Sequence, residues 1–240
     1  MKKTLVCTLI LMAFSFYVAA QTQSAGWLAT FNTIKTGKKT SIHYDMQFRS
    51  SGQWKQMQTM LFRPGLNYHF RKNMTATVGY ALIENRRNIT GVSGYAPEHR
   101  IWEQFIVTHP VVSAAVQHRF RLEQRFIGQP VVDGSGLKTD DYNTANRLRY
   151  FFRSVIPLQQ TKTFEKGWFA AVQNEFFGNI GEKSNVNGKF FDQNRLYLAG
   201  GYRISKKIDI EAGYLNQYVN GRGSNFTNTH VAQLALYTRL

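Results

Sequence analysis

AAVQHRFRLEQRF, residues 114–126, is the stretch on which the fold turns. Taken by twos, Arg119, Arg121, Glu123 and Arg125 fall on one side. His118, Phe120, Leu122 and Phe126 fall on the other. A period of two belongs to a strand; a helix would group residues three and four apart. Residues 147–153 repeat the pattern, with Arg147, Arg149 and Arg153 against Leu148, Tyr150 and Phe152. A sheet with arginines on one face and long apolar side chains on the other separates two unlike environments.

The chain has 240 residues, with 30 Lys+Arg against 14 Asp+Glu and a formal charge of +16. That length suits one large domain or one barrel. A basic excess commonly marks a partner such as nucleic acid or an anionic surface. Here the basic residues are scattered through strand-like segments and turns, and no nucleic-acid module is recognisable, so nucleic acid is not an expected partner. The N-terminus has the layout of a secretory signal. Lys2 and Lys3 supply the charge, Leu5 to Val18 the apolar run, and Val18-Ala19-Ala20 the small residues before a cut at Gln21. Residues 1–20 are therefore expected to be removed and 21–240 to form the mature domain. The rival, a retained anchor, has an apolar run too short to span comfortably. Cys7 lies inside the signal, so the mature chain has no cysteine and no disulfide. No later segment has the apolar run of a transmembrane helix. If this chain crosses a membrane, it crosses as strands.

Alternating segments follow one another without a helical one between them. Residues 40–50 set Ile42, Tyr44, Met46 and Phe48 against His43, Asp45, Gln47 and Arg49. The same alternation continues in 57–70, 74–84, less regularly in 99–107, and in the opening stretch. It returns in 144–156, 167–177, 192–204, 208–218 and 229–240. Such a run leaves a sandwich or a barrel. The connections favour the barrel, because they alternate: 71–73, 108–111 and 205–207 are short, whereas 85–98, 127–143 and 219–228 are long. Outer-membrane barrels have short periplasmic turns and longer outer loops. Tyrosines and tryptophans sit mostly near strand ends, where interfacial girdles lie. Two hairpins also repeat one another: Tyr68, the turn Arg71-Lys72-Asn73 and Gly79-Tyr80 match Tyr202, Ser205-Lys206-Lys207 and Gly213-Tyr214.

The expected fold is all-β, an antiparallel transmembrane β-barrel of about ten strands, with twelve the alternative. Segment 24–33, with Trp27 and Phe31, is one too many for ten. It is a partial strand, a lumenal plug, or a sign that the count is twelve. In a bilayer the apolar face must look outward, because a lipid-facing Arg or Lys costs about 2–4 kcal/mol near the midplane. The arginine face, mostly odd-numbered, then lines the lumen.

Centring each strand on its turn gives a rough register. It places Glu123 near Arg147, Arg121 near Arg149, and Glu175 between Arg147 or Arg149 and Arg195. It places Asp209 near Arg203 and Glu103 near Arg119. Neighbours at cross-strand spacing interact directly. The candidate lumenal network is therefore Glu103, Arg119, Arg121, Glu123 and Arg125, joined by Arg147, Arg149, Arg153 and Glu175, and by Arg195, Arg203 and Glu211.

The early Trp27, Arg49 ending the second segment, EHRIWEQ at 98–104, HRFRLEQRF at 118–126, NRLRYFF at 146–152 and NEFF at 174–177 come in a definite order. With them the chain resembles the outer-membrane barrel family catalogued as domain of unknown function 2490, over essentially the whole mature length. The resemblance implies an outer-membrane barrel and brings no established activity, so no catalytic residue carries over.

Three functional classes remain. The first is a structural or binding barrel whose lumen is filled by Arg–Glu ladders. The second is a small anion-favouring channel lined by arginine. The third is a lipid-modifying hydrolase at the outer rim. The hydrolase would need a nucleophile–base pair, and no motif joins His43, His69, His99, His109, His118 or His230 to a serine or carboxylate. No metal spacing or phosphate-binding glycine motif is visible, so no cofactor is expected. The expected partners are outer-membrane lipids, the barrel-assembly machinery during insertion, and a small anionic ligand for the arginine surplus.

Overall fold

The computed structural model describes residues 22–159 and 163–240; the signal segment expected at 1–20 lies outside the described residues. Among the described residues every regular element is a strand. In order these are β1 (Thr22–Lys35), β2 (Thr40–Ser51), β3 (Gln56–Arg71), β4 (Met74–Ile89), β5 (Val92–Val111) and β6 (Ala114–Asp133). Then come β7 (Gly136–Pro157), β8 (Gly167–Ile180), β9 (Phe191–Ser205), β10 (Ile208–Asn220) and β11 (Phe226–Arg239). Consecutive strands pair antiparallel, and β1 also pairs in parallel with β11, which closes the barrel.

The count among the described residues is eleven, not ten or twelve. Segment 24–33 is neither plug nor fragment. It is the body of β1, with Trp27 opposite Arg49 of β2 on one side and Gln233 of β11 on the other. Closing an odd number of up-and-down strands brings the first and last together in the same direction, hence the parallel seam.

The connections also differ from expectation. Residues 85–98 and 127–143 are not loops. They are the far ends of β4–β5 and β6–β7, which turn through only Thr90-Gly91 and Gly134-Ser135. Sequence alternation fades there because the polar faces of a strand standing in water need no apolar partner, while the backbone ladder continues. The loop rim thus carries tall hairpins beside the longer loops 181–190 and 221–225. The opposite, turn rim holds the two-residue turns Lys72-Asn73, Val112-Ser113 and Lys206-Lys207, together with the longer 158–166.

Tight turns also decide which residues look inward. A two-residue turn pairs residue i with i+3, so the inward set changes number parity across it. After Lys72-Asn73 and Lys206-Lys207 a bulge adds one residue and restores the odd parity. The repeated hairpins of the sequence are these two bulged units. The turns on either side of β5 carry no bulge: Ile89 pairs with Val92, and Val111 with Ala114. β5 alone therefore turns its even-numbered residues inward: Glu98, Trp102 and Gln104 are buried, and Ile101 and Glu103 are exposed.

The outer face is apolar. Leu28, Leu66, Val78, Phe120 and Leu234 each expose about half their surface. Aromatic and imidazole groups flank this band. Tyr80, His99 and Tyr142 cluster towards the loop rim, and Trp168 stacks edge-on with Tyr202 towards the turn rim. The tryptophans only partly follow the girdle expectation: Trp27 and Trp102 are buried inside the barrel.

Inward-facing glycines explain how large aromatics fit there. A Cβ on Gly79 would lie 2.3 Å from the Trp102 ring, and one on Gly201 2.3 Å from that of Phe169. Each glycine is a notch in which a ring lies flat against the wall rather than across the lumen. Gly79→Val is expected to expel Trp102 and sharply reduce the folded barrel. Counting the heat-modifiable form on unheated gels checks this; a wild-type yield would show that Trp102 can reposition freely.

Candidate functional site

Much of the lumen wall repeats one motif, a ring with a guanidinium over it, and at Trp102 the ring also lies in the Gly79 notch. Arg121 lies 4.4 Å over Trp102, Arg119 4.1 Å over Phe151, and Arg149 4.5 Å over Phe177. Stacking fixes each guanidinium plane and leaves its N–H edges free for carboxylates.

Glu123 on β6 is the hub and is fully buried. Its Oε2 accepts from Arg147 Nε and Nη2 at 3.0 and 2.6 Å, and its Oε1 from Arg149. Arg100 and Arg121 stand further off, at 3.6 and 3.8 Å. Glu175 on β8 is a second hub, accepting from Arg119 Nη2 at 2.7 Å and from Arg149 Nη2 at 2.6 Å. Glu98 on β5 is a third, accepting from Arg100 Nε at 2.7 Å and Arg125 Nε at 2.6 Å. Arg153 donates to Glu211, and Arg203 holds Asp209 through Nε and Nη2 at 2.8 and 2.9 Å. Across the lumen Arg63 Nε binds Asp45 at 2.8 Å. Asp192 takes the remaining arm of Arg147 at 2.8 Å.

Eleven of the twelve residues named from the sequence lie on the lumenal side; Glu103 does not. The unbulged turns of β5 put it on the outer face, between Val78 and Leu122, where its Oε2 accepts from Gln124 Nε2 at 3.2 Å. Arg119, expected beside Glu103, reaches Glu175 instead. The residues that sequence reasoning missed are Asp45, Arg49, Arg63, Glu98, Arg100, Gln104 and Asp192. Glu98 and Arg100 were hidden by the parity change. Asp45, Arg49 and Arg63 carry the odd-inward signal and could have been found by it.

The network leaves space. A cavity of about 1460 Å³ runs from Ser24 and Gly52 near the loop rim to His69, Gln117 and Arg239 near the turn rim. Between the rims, among the described residues, eleven arginines meet seven carboxylates in and around it. Positive charge is therefore in excess along this cavity.

The family model described as "Protein of unknown function (DUF2490)" matches residues 24–228, from β1 into β11. The chain belongs to the DUF2490 family. A comparison with curated proteins gives no match. Among solved structures, this DUF2490 chain is similar to one titled "NanC porin structure in rhombohedral crystal form", with TM-score 0.47 and 11% identity, over 90% of this chain and 98% of that one.

Among the described residues one serine–histidine contact exists in this DUF2490 barrel, and it lies at the turn rim rather than the loop rim. Ser41 Oγ lies 2.9 Å from His69 Nε2, and His69 Nδ1 lies 3.0 Å from Thr75 Oγ1. Ser41 also accepts from Asn67 Nδ2 at 2.9 Å and is 2% exposed. The histidine is oriented by a hydroxyl rather than a carboxylate, and the serine is sealed from substrate. The contact reads as a satisfied wall network.

Proposed function

We propose that this protein is an outer-membrane barrel whose lumen admits small anions in preference to cations. The observation that carries the reading is the rim-to-rim cavity, of about 1460 Å³ and arginine-rich lining. A confined lumen with excess fixed positive charge raises the local anion concentration and repels cations. The membrane location is supported by the closed sheet, in which each strand pairs with a neighbour on both sides, and by the half-exposed apolar outer band. Lipids would cover that band, and barrel-assembly machinery would insert it.

The competing reading is a sealed structural barrel, favoured by the dense pairing at Glu123 and Glu175. Conductance separates the two. Purified protein in a planar bilayer under a potassium chloride gradient is expected to give discrete steps. Their reversal potential should carry the sign of chloride permeation. Silence, or a reversal potential of cation sign, would reject the anion pore.

A further inference from the structure

The lumenal arginines are not equally matched. Most have a carboxylate within hydrogen-bond distance. Arg121 gives two bonds to Gln104 Oε1, at 3.0 and 2.6 Å, leaves its buried Nη1 without a partner 3.8 Å from Glu123, and lies off the cavity. Besides the exposed Arg87 towards the loop rim, two others face the cavity without such a partner among the described residues. Arg49 donates only to Gln47, through Nε and Nη2 at 3.2 and 2.5 Å, and no carboxylate lies within 4 Å of it among the described residues. Arg195 has a contact of 3.4 Å with Gln193, and its nearest carboxylate oxygen, on Glu175, is 3.9 Å away. Glu175 is already held by Arg119 and Arg149. The Nε of Arg195 is buried with no partner.

These two arginines come from strands on opposite sides of the parallel seam, β2 and β9, yet they meet one ring. The Arg49 guanidinium lies 4.1 Å from the centre of the Trp27 ring, and that of Arg195 lies 5.2 Å from it. Trp27 itself rests on Ala25, Tyr197, Leu215 and Val231, so it is a rigid base. Like charges held on one indole repel unless something between them is negative. Stacked guanidinium groups present fork-shaped N–H edges that match the paired oxygens of a carboxylate or phosphate.

We infer that Arg49 and Arg195, mounted on Trp27, form a binding station for a small oxyanion, a carboxylate or phosphate, within the lumen. This rests on the reading that the lumen admits small anions. Each arginine supplies charge-assisted bonds, and the rings beneath them, Trp27 for Arg49 and Trp27 with Phe177 for Arg195, hold them in place when the station is empty. Weak, saturable occupancy is what a pore requires, since an ion held too tightly would not leave.

The test uses the full-length purified barrel in detergent, titrated calorimetrically with succinate and, separately, with inorganic phosphate. Saturable binding of one or both is expected, and the two arms say which oxyanion the station prefers. R49Q and R195Q are each expected to weaken it at least about tenfold, the loss of one charge-assisted contact. R49K and R195K, which keep the charge but lose the fork, should recover it only in part. Heat-modifiable mobility certifies that each variant is folded; if R195Q fails to fold, R49Q, at the position with no carboxylate within 4 Å among the described residues, still decides. In bilayers the same anions should reduce the chloride current saturably in the wild type, and less in R49Q and R195Q. An anion-selective pore in which neither anion binds, or binds equally in R49Q and R195Q, overturns the station and leaves the pore standing. Binding without conductance would overturn the pore and leave the station.

Discussion

Glu123→Ala is expected to lower the stability of the barrel by about 3–5 kcal/mol, the range for removing one partner of a buried ion pair. Glu123 is fully buried and joins Arg147 and Arg149 directly, with Arg100 and Arg121 at 3.6 and 3.8 Å. Without it, β7 presents two guanidinium groups towards β6 with nothing between them but each other. Asp192 can retain one arm of Arg147, and Glu175 one side of Arg149. Arg121 keeps Gln104. The cost therefore falls mainly on the β6–β7 pair. Urea titration of the protein in detergent, read by the fraction running as folded on unheated gels, should show the midpoint fall well below wild type. Glu123→Gln, which keeps an acceptor but no charge, should fall between the two. A midpoint unchanged in Glu123→Ala would mean that water reaches these arginines and that the hub is dispensable.

The second large effect concerns the outer face. Leu234 and Thr229 both lie on β11; Leu234 is 56% exposed on the outside, and Thr229 lines the cavity. Leu234→Arg is expected to cost about 2–4 kcal/mol if the outer face meets hydrocarbon near the midplane. Thr229→Arg adds the same charge to the lumen and should leave assembly close to wild type, while shifting the reversal potential further towards anions. The comparison reads the yield of folded protein in the membrane fraction and then the bilayer recordings. Equal yields for both variants would remove the lipid from the account of this barrel.

The sequence was most legible where both faces of a strand are constrained. Phe120 and Leu122 must be apolar, and Arg119, Arg121 and Glu123 must not, so alternation in 114–126 reports strand, face and lumen together. Beyond the apolar band both faces are wet, and the signal disappears although pairing goes on. Hence Thr90-Gly91 and Gly134-Ser135 turn tightly inside segments that read as loops. Register was legible where turns fix neighbours, as with Glu123 and Arg147 or Asp209 and Arg203. It failed at Glu103, because the side that a residue takes depends on whether a turn carries a bulge, and bulges leave no residue pattern here. The pairing of Arg49 and Arg195 on Trp27 was illegible for a different reason. Strand spacing identifies neighbours on the sheet, and Arg195 reaches Trp27 from three strands away around the barrel.

An odd number of strands has a consequence for how the chain is threaded. β1 begins at the loop rim, beside Gly52–Lys55, and β11 ends at the turn rim, where the backbone of Leu240 bonds Thr33 and Lys35. β2–β3, β4–β5, β6–β7, β8–β9 and β10–β11 can each enter as a closed hairpin with its tip at the loop rim. β1 has no such companion and joins the sheet as a single strand. The two ends of the sheet therefore lie at opposite rims, and the strand that carries Trp27 is also the one that locks the cylinder shut.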